Sequence, residues 1–221
     1  MQYMLTGYNW DLSNQYAIPY LLLTHVYLTG VSMGIALLIA IPVSLLVARY
    51  DRLYLPVITG AGILYTIPSL AALAFLIPVT GLTATTVIIP LALYAQVTLI
   101  RNIVAALRAV DPALIDVGRA MGMSERQIQL RVVVPLALPV IIAGVRVATV
   151  TTIGIASIGP LVGVEDLGYP IFDGIFGYPY PSEVLAGVIL VSALAVAADL
   201  LLLALQRQLS RGQRIVPARQ V

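Results

Sequence analysis

Few side chains in this 221-residue chain can do covalent or metal chemistry, and the sequence does not gather them. There is one histidine, His25, and no cysteine. That excludes a histidine-cluster metal site, a thiolate nucleophile and a disulfide. The ten carboxylates form no set on one face that would serve as paired acid and base, so a small membrane enzyme has no visible machinery. The chain has no lysine and no G-x-x-x-x-G-K-[ST] loop, so it holds no nucleotide phosphates by that route. What remains are polar groups set among apolar ones. Arg146 lies about seven residues into a long apolar run, and Asp199 a similar distance from the end of another. At 1.5 Å per residue both would sit about 10 Å deep. An ionisable group at that depth is costly and is usually paired, so the two are expected to pair, as a static clamp or as part of a gate. Pro68, with Ser69 beside it, interrupts another run and frees carbonyls that need partners from other helices or from a wet cavity. Tyr65, Tyr94 and Gln96 are candidates to line the same route, and the alternative for Pro68 is a packing kink.

Those groups require a membrane to position them. The chain is 60% hydrophobic and 10% charged, with mean hydropathy +0.99, where a soluble domain carries about 25% charged residues. An all-α membrane protein follows. About 20 apolar residues cross the hydrocarbon layer, and five runs qualify: 26–47, 57–79, 86–107, 139–158 and 184–205. Arginine sets their orientation. Arg49 and Arg52 follow the first run; Arg101, Arg108, Arg119, Arg126 and Arg131 lie at or after the end of the third; Arg207, Arg211, Arg214 and Arg219 follow the fifth. The opening residues, the turn after the second run and the 159–183 loop have none, and that loop carries Glu165, Asp166, Asp173 and Glu183. The N-terminus is therefore expected outside, and the tail at 206–221 in the cytoplasm. The first residues, MQYMLTGYNWDLSNQY, lack the basic flank and small-residue cleavage site of a signal peptide.

The segment 111–135 is polar in an otherwise apolar chain. Asp111 and Pro112 suit a helix start. Ala113, Leu114, Val117, Ala120 and Met121 recur at helical spacing. Asp116 and Arg119 stand three apart, within pairing reach, and Gly122 suits the left-handed residue that ends a helix. Ser124 and Gln127 read as a capping box for a second short helix that Pro135 ends or kinks. A helix of about ten residues needs something to pack on. Taken alone, the residues fit either a connector lying on the membrane or a knob docked in a groove of a soluble partner.

The same stretch resembles the EAA loop of binding-protein-dependent ABC importer permeases: E-A-A, three residues, G, nine residues, I-x-L-P. Here stand Asp116-Val117-Gly118, Gly122 and Val132-Val133-Val134-Pro135, with every spacing kept and the residues softened. The likeness runs from about Leu22 to Gly168. In YTIPSLAALAFLIPVTGL, IIPLALYAQVTLIRNIVAALRAVDPAL and PLALPVIIAGVRVATVTTIGIASIGPLVG it is nearest the branch importing glycine betaine, carnitine and choline. The resemblance implies a type I ABC importer permease-like (MetI-like) fold in a prokaryotic inner membrane. It implies a second permease subunit, identical or homologous, and two cytoplasmic ATP-binding subunits that hold ATP and Mg, with no cofactor in this chain. It also implies an extracytoplasmic substrate-binding protein, which carries the aromatic cage, and no nucleic acid. Ala113, Leu114, Asp116, Val117, Gly118, Met121 and Gly122 would touch the ATPase, with small residues at 117 and 118 allowing close approach. Rival readings are an amino-acid importer and a stand-alone secondary transporter, the latter having no use for a docked knob.

Other features carry weaker expectations. Gly30 and Gly34 form a GxxxG, which reads as close helix packing. His25 reads as a satisfied interfacial residue. The carboxylates of 159–183 would pair with basic residues of a binding protein. Tyr169, Tyr178 and Tyr180 would form an interfacial belt or face a quaternary ammonium ion.

Overall fold

A computed structural model describes residues 2–11, 14–177 and 180–210. The described residues hold no strand. Their helices are α1 (Gln2–Leu5), α2 (Ile18–Arg49), α3 (Tyr54–Thr66), α4 (Ser69–Thr80), α5 (Ala84–Arg108), α6 (Pro112–Ala120), α7 (Glu125–Ala156), α8 (Tyr169–Phe176) and α9 (Pro181–Ser210). Four of them, α2, α5, α7 and α9, are long and apolar enough to cross a membrane, and α3 with α4 makes a fifth if that bent pair is one span.

Helix α5 is the centre. Its residues are mostly buried, and it packs on α2, α7, α3 and α4. Small residues let these helices approach, as happens where lipid gives no hydrophobic drive to association. A Cβ on Gly144 of α7 would run into Asn102 of α5. Some buried polar side chains bond across the same contacts. Gln96 donates to the Ala36 carbonyl at 3.2 Å and to Ala92 at 3.0 Å, and Ser32 donates to Ile88 at 3.4 Å. Helix α9 is peripheral, resting on α7 and α8.

The helices depart from the hydropathy reading where polarity or proline misleads it. Helix α2 starts at Ile18 rather than Val26, because the polar His25 faces into the bundle. Helix α7 runs unbroken from Glu125 to Ala156, so the short helix after Ser124 and the fourth span are one element. Pro135 does not end it. A π-helical segment, Gln129–Val133, lies just before the proline, and its wider turn relieves the clash between the ring and the preceding carbonyls that breaks an ordinary α-helix. Pro68 does more than kink its span: α3 and α4 meet at 87°. The GxxxG expectation fails within this chain, since a Cβ on Gly30 or Gly34 would meet no neighbour.

The molecule has two chemically distinct ends. Arg108 donates to Asp51 at 2.6 Å, bringing the last turns of α2 and α5 together among the arginines. At the other end the start of α2, the end of α7 and the acidic 159–183 segment meet.

Candidate functional site

At the basic end, α6 and the start of α7 form a hairpin built by its caps. The Asp111 carboxylate accepts from the Ala113 amide at 2.9 Å. Gly122 sits at φ +76°, where only a residue without Cβ is comfortable. Ser124 and Gln127 close a reciprocal capping box. Arg119 donates to Asp116 at 3.1 Å and to Glu125 at 2.9 Å, tying the two arms. Gly118 is buried, and a Cβ there would stand 3.2 Å from Ile128. It serves the hairpin's own packing rather than an outer contact, because at this position on α6 the missing side chain is what lets Ile128 seat. Ile115 packs beside it in the main core. The opposite face keeps Leu114, Val117 and Met121 44%, 57% and 75% exposed, with Ala113, Asp116 and Gly122 exposed alongside. An apolar stripe, i, i+3, i+7, thus faces away from the protein on a rigid support.

The break between α3 and α4 creates a second feature. The Tyr94 hydroxyl donates to the Ile67 carbonyl at 2.9 Å, and its ring meets that of Tyr65 edge to face, centroids 5.8 Å apart and planes at 78°. Thr66 donates to Ile63, and the Ile67 amide to Leu64. No described hydrogen bond ends on the Tyr65 or Thr66 carbonyls. Beside the two rings a narrow cleft of about 10 Å³ opens between α5 and α7, lined also by Thr98, Thr151 and Thr152. No lysine, arginine or carboxylate lines it. Gln96 is not part of it: its amide is spent on Ala36 and Ala92, away from the cleft. Ser69 opens α4 at the break but does not reach the cleft wall. The three threonines escaped the sequence reading. Thr98 lies one turn after Tyr94, and Thr151-Thr152 are hydroxyls within an apolar run, the signal that marks them.

Arg146 and Asp199 meet as a bidentate pair. Nε and Nη2 of Arg146 donate to the two Asp199 oxygens at 2.9 and 2.8 Å, and Nη1 donates to Gln206 at 2.9 Å. The pair joins α7 to α9 and does not line the cleft.

At the acidic end the structure joins residues that no spacing connects. His25 is fully buried in α2, with Nε2 at 3.0 Å from the Ile153 carbonyl of α7, and Nδ1 at 3.5 Å from Asp166, itself fully buried. Asp166 accepts from the Gly168 amide at 2.6 Å. Burial raises the Asp166 carboxyl above its usual range, while His25 and Gly168 pull it back. Asp166 therefore cannot reach a partner's basic residue, as was expected of it; its role is inside the fold. Burial, then Asp166 and Asp173, also raise Glu165. Tyr169 stacks on Tyr16, centroids 4.8 Å apart, with its hydroxyl pushed up to about 12 by burial and the neighbouring carboxylates. Tyr180 is exposed. Tyr178 and the arginines at 211, 214 and 219 lie outside the described residues.

Residues 32–213 match the family described as "Binding-protein-dependent transport system inner membrane component". The chain is 39% identical over 186 residues to the choline transport system permease protein OpuBD of Bacillus subtilis, covering 84% of this chain and 82% of that protein. It is 40% identical over 186 residues to the carnitine transport permease protein OpuCD of Listeria monocytogenes (84% and 83%). It is 33% identical over 200 residues to the osmoprotectant import permease protein OsmW of Salmonella typhimurium (88% and 93%). In fold it is similar to a chain of the inward-facing MetNI methionine ABC transporter, with TM-score 0.75 and 24% identity over 84% of this chain and 93% of that one.

Proposed function

The chain belongs to the family of binding-protein-dependent transport system inner membrane components, and on that footing we propose that it forms the solute pathway of an ATP-driven importer for a trimethylammonium osmoprotectant such as choline, carnitine or glycine betaine. It is a multi-pass membrane permease subunit, and hydrolysis belongs to a partner. Relatives near 40% identity that carry choline and carnitine in their names support this solute class over an amino acid. Likeness to a methionine transporter at 24% identity speaks to fold alone.

One observation carries the reading: Leu114, Val117 and Met121 present an apolar stripe on a doubly capped hairpin at the arginine-rich end. Such a stripe fits a groove in a cytosolic subunit. On this reading the arginine-rich end lies in the cytoplasm and the 159–183 segment outside, facing a binding protein. A second permease subunit, of the same or a related sequence, covers the cleft between α5 and α7, and an ATPase subunit that holds ATP and Mg docks under each. Moving a 1:99 balance of access states to 99:1 takes about 5.5 kcal/mol of differential binding, which two nucleotides supply. Choline and carnitine uptake should be measured in proteoliposomes holding the assembled complex, with and without its ATPase subunit. Uptake of either solute only when the ATPase and ATP are present is expected. ATP-independent uptake would instead mark a secondary transporter, and uptake of methionine alone an amino-acid importer.

A further inference from the structure

The corner formed by Tyr65 and Tyr94 has the chemistry of a cation site. Two tyrosine rings stand nearly perpendicular at 78° with centroids 5.8 Å apart. One is pinned: Tyr94 is buried and its hydroxyl is held by the Ile67 carbonyl. The other, Tyr65, is 47% exposed at the end of α3. The break between α3 and α4 adds backbone dipoles. Pro68 has no amide hydrogen, and no described hydrogen bond reaches the Tyr65 and Thr66 carbonyls, so α3 ends in partial negative charge beside the Ile67 carbonyl that holds the Tyr94 hydroxyl. Thr98, Thr151 and Thr152 supply the only other polar groups of the cleft, and no formal charge lines it.

These features select by sign. Ring faces and carbonyl oxygens attract a cation. Without an arginine, lysine or amide cluster, nothing there compensates a carboxylate. A strongly hydrated cation such as sodium would have to give up its water for two rings and a few carbonyls. A quaternary ammonium, whose charge is spread over methyl groups, is weakly hydrated and matches both the aromatic walls and the apolar surroundings. We propose that Tyr65 and Tyr94, with the carbonyls at the α3–α4 break, form a low-affinity binding site for the quaternary ammonium head of the solute within the membrane. The site rests on the functional reading above, and it makes this subunit a contributor to solute selection rather than a passive wall. In the conformation seen, the cleft is narrow and open on one side, so the corner is one wall of a site whose other wall is the neighbouring permease subunit. Tyr65, at the rim, is the contact and Tyr94 the fixed backing.

The test uses the assembled complex in two arms. In the first, tetramethylammonium is titrated into complex free of binding protein and followed by calorimetry, with neopentyl alcohol as the uncharged probe of similar shape. The wild type should bind tetramethylammonium and not the alcohol. Tyr65→Phe should keep that binding, because the ring face remains, and Tyr65→Leu should weaken it about tenfold or more. In the second arm, choline uptake should show the same order, with KM raised about tenfold in Tyr65→Leu and kept near wild type in Tyr65→Phe. Equal binding of the charged and uncharged probes, or Tyr65→Leu indistinguishable from wild type in either arm, overturns the proposal. If wild type binds tetramethylammonium through Tyr65 but imports no trimethylammonium solute, the site stands and the osmoprotectant reading falls. If it imports choline with no dependence on Tyr65, the reverse holds.

Discussion

Replacing Val117 by aspartate should detach the ATPase subunit while leaving the permease folded. Val117 is the middle residue of the exposed stripe on α6, 57% accessible, with Leu114 and Met121 one turn to either side. Fully burying a valine side chain is worth about 1.5–3 kcal/mol, so covering the exposed share stabilises a docked complex by about 1–1.7 kcal/mol. A carboxylate left without a partner in that contact costs a further 1–3 kcal/mol or so. The loss of about 2–5 kcal/mol corresponds to docking at least roughly 30-fold weaker. The helix itself should suffer little. Valine and aspartate have similar helix propensities, the site points away from Ile115 and Gly118, and an exposed carboxylate in the last turn of α6 opposes the helix dipole by only about 0.3–1 kcal/mol. The assay is capture of the ATPase subunit by permease purified from membranes, with thermal unfolding of the permease as the control. Capture within threefold of wild type, from protein with unchanged unfolding, would refute the assignment of this stripe as the docking face.

Other substitutions address the rest of the structure. Gly144→Ala should drive α7 away from Asn102 and destabilise the permease by about 1–3 kcal/mol, seen as a lowered melting temperature in detergent. Removing either Arg146 or Asp199 alone should lower that temperature more than replacing both with leucine, since the charge left on α7 or α9 has lost its bidentate partner; equal effects would mean the pair is inert. Asp166 gives a pH signature. Its folded pKa is raised, so the stability it contributes is full below the ordinary value of about 3.9 and falls as pH rises through the folded value. The melting temperature of the permease should therefore fall as pH rises above about 4, and Asp166→Asn, which still offers an acceptor to the Gly168 amide, should flatten that fall.

The parts of this molecule readable in the sequence are those governed by local rules. Long apolar runs announced α5 and α9 to within a few residues, because a lipid-facing helix advertises itself by composition alone. The Asp111 cap, the Ser124–Gln127 box and the positive φ of Gly122 were legible because each depends on residues at most three positions apart. What escaped depends on direction or distance. Pro68 signals lost hydrogen bonds but not the 87° angle that follows. Which face of α6 carries Gly118 follows from Ile128, ten residues on. The His25–Asp166 contact spans 141 positions and leaves no trace in spacing, so Asp166 looked like one more surface carboxylate.

Unbroken passage of α7 through Pro135 has a mechanical consequence. From Glu125, held by Arg119, to Ile153, whose carbonyl meets His25, there is a single rod of roughly 42 Å at 1.5 Å per residue. A tilt of only 5° about its hairpin end would sweep the far tip by close to 4 Å, by the same 1.5 Å rise. Small displacements impressed on one surface thereby reach the opposite surface magnified, with no chain of intermediate rearrangements needed to carry them.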